Sequence, residues 1–350
     1  MRDVAIVSFA QVPNVRRELD RNEVEMLMPV VTEAIEASGI GRKEIDFTVS
    51  GSCDYIAGQP FAFVSGIDAV GPWPPINESH VEMDGAWALY EAWVKIQTGQ
   101  ADSALVYAFG KSSMGDITEV LTLQLDPYYL APLWPDAVSL AALQARVLLD
   151  RGHATERAMA EVAARSRRSA KANPNAQLRG DFEIEKLLAE PYLVSPLRKH
   201  DCPPITDGAA AIVLAAGDLA KKKCRHPAWI RGIDHRIESH SLGARNLARS
   251  RSTEIAAEKA GAFAGSFDVA ELHAPFTHQE LILRDALRLD PKLSVNPSGG
   301  ALSANALMVA GLIRLGEAAR RIHAGDARRA LAHATSGPCL QQNLVCVMEA

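Results

Sequence analysis

Ile76-Asn77-Glu78-Ser79-His80-Val81-Glu82-Met83-Asp84-Gly85-Ala86-Trp87-Ala88-Leu89 reads as a strand running into a helix opened by small residues. A strand-to-helix turn of this kind suits acyl-transfer chemistry, because a helix N-terminus stabilises negative charge on an attacking group placed beside it. Here the turn holds Glu82, Met83 and Asp84, with neither Cys nor Ser. The stretch is shaped for a nucleophile and lacks one.

Outward from that turn, strand-like and helical segments alternate. Val4–Ala10 is apolar and β-rich, Glu23–Ala37 has helical periodicity ending at Gly39, and Phe47–Ser50 is strand-like again. This alternation predicts an α/β architecture with helices layered on sheets. The second half repeats the plan. Glu36, Gly39 and Asp46 recur 222 residues later as Glu258, Gly261 and Asp268. Gly85, Gly99, Ala101, Ala104 and Leu105 recur 226 residues later as Gly311, Gly325, Ala327, Ala330 and Leu331. Chance matching of common residues would not hold the spacing within both blocks, so the chain reads as a duplication. Two such halves, 1–225 and 226–350, would pair and set equivalent loops around one cleft. Residues 111–198 have no counterpart in the second half and read as an insertion. It carries Tyr128, Tyr129 and Trp134, and a helical run Glu156–Ala172 that suits a solvated or interface face. The aromatics would suit a bulky apolar ligand, although packing under a loop is the simpler reading.

Composition bounds the function from outside. The chain has 350 residues, 48% hydrophobic and 23% charged, with a net charge of −5. An acidic chain gives no ground for a nucleic-acid or anionic-membrane partner. No apolar run reaches the ~20 residues of a membrane span, and no secretory signal follows Met1. The five cysteines, Cys53, Cys202, Cys224, Cys339 and Cys346, are scattered without CxxC spacing. They point to a reducing cytoplasm, with no disulfide frame and no metal site.

Four segments could carry chemistry. His273 follows a strand-like run, Phe267–Ala270, and precedes a helical one, Gln279–Leu287. It could act as a general base, donate an Nε2–H to an oxyanion, or merely cap the helix. Asn296-Pro297-Ser298-Gly299-Gly300 offers a fixed amide and two glycines whose backbone N–H groups could approach a carbonyl at a helix start. Asp207 reads as an acceptor for turn backbone donors in preference to a catalytic acid. Cys339 lies in a polar loop that could activate a thiolate; the alternative is a buried spectator thiol, which is preferred.

Taken together, the Asp207-Gly208-Ala209-Ala210 turn, the Glu271-Leu272-His273-Ala274-Pro275-Phe276 block and Asn296–Ala301 resemble the thiolase superfamily, and within it the sterol-carrier or lipid-transfer-protein branch. The resemblance spans essentially the whole chain. It implies a duplicated five-layer αβαβα sandwich, an obligate dimer (or a heteromer with another thiolase-like chain) and an acyl-CoA substrate. Coenzyme A would enter as part of the substrate, with no other cofactor. The departures bear on the reaction. Thiolases carry the nucleophilic Cys where Glu82-Met83-Asp84 stands. Their Gly-His-Pro appears here as Ala304-Asn305-Ala306, and their second catalytic Cys would fall near Thr335 or Ser336. Of four catalytic positions, only that at His273 is kept. Some relatives cleave steroid acyl-CoA side chains by a retro-aldol step without a covalent nucleophile. They are thought to use tyrosines from the C-terminal half, and this chain has none after Tyr192. Those relatives recruit an OB-fold, zinc-ribbon partner. Three readings follow. The first is acyl-CoA C–C cleavage with Glu82 or Asp84 as base and His273, Asn296, Gly299, Gly300 and Asn305 around the thioester. The second is a non-catalytic or half-catalytic lipid-CoA-binding subunit of a heteromer. The third is a thiolase or acyltransferase using Cys339.

Overall fold

The computed structural model describes residues 2–71 and 77–350; Met1 and Ile76, the latter opening the strand-to-helix stretch, lie outside them. The strands of the main sheet are β1 (Val4–Gln11), β2 (Phe47–Gly51), β3 (Glu78–Val81), β4 (Ser103–Gly110), β5 (Gly208–Ala216), β6 (Ala228–Ile237), β7 (Val269–Leu272), β8 (Ser294–Val295), β9 (Arg329–Ser336) and β10 (Gln342–Glu349). The helices that shape the site are α1 (Glu23–Ser38), α2 (Gly85–Gln97), α3 (Ile117–Leu123), α4 (Ala137–Asp150), α5 (Glu156–Ser169), α6 (Arg251–Lys259), α7 (Thr277–Ala286) and α8 (Ala310–His323).

Read outward from the centre, the strand order is β1-β5-β4-β2-β3 on one side and β6-β10-β9-β7-β8 on the other. Each side pairs its first and second strands antiparallel, then the second and third antiparallel, then the rest parallel. One short antiparallel contact, Ala5 with Trp229 and Ile6 with Ala228, joins the sides. The chain is thus an α/β protein built as a duplicated five-layer αβαβα sandwich. Alternation along the strands sorts the layers, because successive side chains face opposite ways. On β4, Ala104, Val106 and Ala108 pack inward on α2 and α8, while Leu105, Tyr107 and Phe109 pack outward on α1. On the other side, Ala330 and Ala332 face the central helices, and Leu331 faces the layer of α6 and α7.

The repeat extends to single hydrogen bonds. Asp46 Oδ2 accepts the N–H groups of Asp102 and Ser103 at 2.8 and 3.2 Å. Asp268 Oδ2 accepts those of Arg328 and Arg329 at 2.8 and 2.9 Å, the same offset away. The central helices lie so close to the sheets that only glycine fits at their starts. A Cβ on Gly85 would sit 2.7 Å from the Ala108 methyl, and one on Gly311 would sit 2.7 Å from the Ala334 methyl.

Residues between β4 and β5 include α3, α4 and α5; between the corresponding β9 and β10 there is only a short loop. Helix α5 buries Met159, Ala160, Val162, Ala163 and Ala164 and turns its charged side outward. Among the described residues, no helix is long and apolar enough to cross a membrane.

Candidate functional site

The ends of β7 and β9, the N-terminus of α2 and the loop before α8 meet at a cavity of ≈ 370 Å³. His273, Asp84, Asn305, Thr335 and Ser336 supply its polar wall. His273 continues β7 by one residue, its N–H bonding the His333 carbonyl at 3.1 Å. Its ring is pinned at both nitrogens. Nδ1 accepts the Thr335 backbone N–H at 3.4 Å, and Nε2 lies 3.0 Å from Asn305 Oδ1. With Nδ1 an acceptor, the ring proton belongs on Nε2, donated to the Asn305 oxygen. Burial pushes the His273 pKa below its ordinary value, against the opposing charge of Asp84. The imidazole is therefore a neutral donor. Asn305 is only 5% exposed, its backbone N–H is taken by Thr206 Oγ1, and its Nδ2 has no protein acceptor among the described residues. The cavity wall thus offers a second donor beside the first.

Asp84 occupies the turn where a nucleophile was expected, and its surroundings explain the residue type. It is the N-cap of α2, bonding the Ala86 N–H through Oδ1 at 2.9 Å. The same carboxylate reaches the start of α8, with Gly311 N–H on Oδ2 at 2.9 Å and Leu312 N–H on Oδ1 at 3.0 Å. Two helix N-termini, one from each half, converge on one negative charge. Three N–H groups fill three of about four acceptor positions on a carboxylate, leaving one on Oδ2.

Other expected site residues lie elsewhere. Glu82 is exposed, accepts the Asp54 N–H at 2.7 Å and faces His80 Nε2 at 3.1 Å, and does not line the cavity. It is corrected from candidate base to a cap of the neighbouring loop. The Asn296 amide is spent on structure: Oδ1 accepts the Leu272 N–H at 2.6 Å and Nδ2 donates to Glu280 at 3.2 Å. Gly299 and Gly300 adopt positive φ of 100° and 60° but open no helix, since α8 begins at Ala310. Their turn is braced by a buried network in which Arg314 bonds Glu271 at 2.8 Å and Glu271 accepts Ser298 Oγ at 2.7 Å. The oxyanion role expected for Asn296, Gly299 and Gly300 therefore has no geometric support, because none of them lines the cavity.

Cys339 does line the cavity, but its thiol donates to the Leu140 carbonyl at 3.4 Å and burial pushes its pKa up to about 11. It is a spectator thiol. Asp207 is fully buried and accepts the N–H groups of Glu18 and Ser113, the turn-bracing role read from sequence. Tyr128, Tyr129 and Trp134 are neither packed under a loop nor on the cavity wall; they are exposed.

Sequence reasoning missed the glutamines. Gln144 Oε1 accepts from His278 Nε2 and from Gln279 Nε2, both at 3.1 Å, while its Nε2 donates to the Leu247 and Cys339 carbonyls. With Arg245 Nη1 on the Cys339 carbonyl at 3.1 Å, it holds the loop after β9 where Cys339 and Leu340 take positive φ of 55° and 59°. A buried Gln in an Ala/Leu helix is a signal that could have been noticed, since burial of an amide demands partners.

A duplicated five-layer sandwich with its polar cavity at the meeting of the halves defines a thiolase-like protein. No family model matches the chain. An acetyl-CoA acetyltransferase of Methanothermobacter thermautotrophicus is 26% identical over 330 residues, 86% of this chain and 85% of that protein. A sterol carrier protein 2 of Gallus gallus is 25% identical over 74% of this chain and 56% of its own length. A solved structure described as the Ltp2-ChsH2(DUF35) aldolase superposes with a TM-score of 0.82 at 18% identity, covering 99% of this chain and 98% of that one. The chain is a thiolase-superfamily protein, similar to the sterol-carrier and lipid-transfer branch.

Proposed function

We propose that this protein binds a lipid-type acyl-CoA and cleaves a C–C bond of its β-hydroxyacyl group by a retro-aldol step, without an acyl-enzyme. The observation that carries the reading is the neutral His273 Nε2–H beside the Asn305 amide, a donor pair facing a cavity with no activated thiol. In the step, the β-hydroxyl proton passes to a base and the hydroxyl oxygen becomes a carbonyl. The Cα–Cβ pair moves into the thioester as an enolate, which His273 and Asn305 stabilise, and Cα then takes a proton. The one free acceptor position on Asp84 Oδ2 makes it the base. Coenzyme A enters as part of the substrate. The aldolase whose fold this chain shares is described jointly with ChsH2(DUF35), which supports a working complex with a second chain.

The test follows thioester and carbonyl products from a β-hydroxyacyl-CoA, using the protein with any co-purifying partner. His273→Ala and Asn305→Ala should each lower kcat by about 10²–10³ with small changes in KM, as loss of one oxyanion donor does. Full turnover in both variants would sink the proposal. One observation favours a second reading, a binding subunit without its own chemistry: three helix N–H groups already occupy Asp84. That reading requires activity of a purified complex to survive His273→Ala and Asp84→Asn in this chain.

A further inference from the structure

The cavity wall beyond the polar group belongs to the insertion. Leu121 of α3 and, from α4, Ala137, Leu140 and Ala141 line it. The last three sit at i, i+3 and i+4 on one helix face, so α4 presents a single apolar stripe with two alanines leaving space. Among the described residues no Arg or Lys lines the cavity, and the only carboxylate there is Asp84. A volume of ≈ 370 Å³ holds roughly a dozen groups of about 30 Å³, the share of a water and close to that of a methylene. A thioester head uses about three of these, leaving roughly nine for the acyl tail.

The geometry points to an uncharged, aliphatic acyl group of about decanoyl length as the group this cavity takes, with Ala137 setting the limit. This rests on the acyl-CoA reading above and narrows it. A fused steroid nucleus exceeds the space. A tail ending in a carboxylate would place its charge in an apolar wall without a cation, at a large desolvation cost. Ala137 is only half-buried and opens α4, so a larger side chain there fills cavity space without disturbing the helix core.

The experiment titrates the full-length protein with free coenzyme A, then hexanoyl-, octanoyl-, decanoyl- and palmitoyl-CoA below its micelle concentration, and a decanoyl-CoA carrying a terminal carboxylate. Affinity should rise at least ~10-fold from hexanoyl to decanoyl, because each buried methylene is favourable, and gain nothing further at palmitoyl. The carboxylated tail should bind at least ~10-fold more weakly than decanoyl. Ala137→Leu should move the plateau to octanoyl or shorter, and Leu121→Ala should move it beyond decanoyl. Tightening that continues to palmitoyl, parity of the carboxylated tail, or a plateau unmoved in both variants would overturn the inference. Its fate is separable from that of the reaction. A decanoyl plateau without C–C cleavage overturns the reaction alone. Cleavage of a palmitoyl-length substrate as fast as a decanoyl-length one overturns the size limit alone. Failure to bind any acyl-CoA overturns both.

Discussion

Replacing Asp84 separates its structural role from its chemical one. In Asp84→Asn the amide oxygen can keep the Oδ1 bonds to Ala86 and Leu312, and the amide nitrogen then faces the Gly311 N–H. One buried donor loses its acceptor, at about 1–3 kcal/mol. Two helix N-termini also lose a counter-charge, at about 0.3–1 kcal/mol each. The expected loss is roughly 2–4 kcal/mol, and Asp84→Ala, which orphans all three donors, should lose roughly 3–6 kcal/mol. Urea unfolding at neutral pH measures both, with an unchanged slope showing that only stability has moved. Asp84→Asn within about 0.5 kcal/mol of the native protein would refute the reasoning, because the double cap could not then be holding α2 against α8. If the carboxylate is also the base, the folded Asp84→Asn protein should bind acyl-CoA normally and turn over at least ~10²-fold more slowly.

Cys339→Ala should keep turnover within a few-fold. In the native protein that thiol should resist iodoacetamide at about pH 8, where a group with a pKa near 11 is roughly one part in a thousand thiolate; rapid alkylation mapped to Cys339 by mass spectrometry would contradict its placement. Acid should destabilise the protein early. Burial holds His278 and His333 neutral, with pKa values pushed down to about 3, while the unfolded chain protonates both near pH 6.5. The unfolded state therefore binds more protons below that pH, so stability is full above it and lost as the pH falls towards 3. At about pH 5 the two should cost about 4 kcal/mol together, readable as a drop in the urea midpoint that shrinks in His333→Gln. A midpoint flat from pH 7 to about pH 5 would be incompatible with two buried neutral histidines.

Much of the fold was legible because its determinants are local or periodic. The strand alternation, the α1 helix closing at Gly39 and the repeat of Asp46 as Asp268 all follow from spacing within one copy or between copies. Asp46 shows why the repeat was readable: each copy needs a carboxylate to accept the same two N–H groups, so residue type survives where sequence identity does not. The site was less legible because its bonds cross the duplication. Asn296 beside two glycines looks like an oxyanion turn, and nothing nearby in sequence says that Leu272 N–H and Glu280 consume its amide. Glu82 and Asp84 are two residues apart and chemically alike, yet one is exposed and the other 2% exposed. Only the approach of α8 distinguishes them.

That approach also accounts for the residue at the turn. A nucleophile beside a helix N-terminus needs the N–H groups there free to stabilise its developing charge. In this chain the starts of α2 and α8 meet, and their donors are already committed to the Asp84 carboxylate. A thiolate at that position could satisfy neither helix as fully, because it offers one soft acceptor atom where the carboxylate offers two oxygens. Meanwhile the donor function has moved to the other half, where Thr335 N–H fixes the His273 tautomer and Asn305 stands beside its Nε2–H. The two changes are consistent with each other. A site that keeps its oxyanion donors and converts its nucleophile position into a charged helix cap is suited to polarising a thioester and not to attacking it.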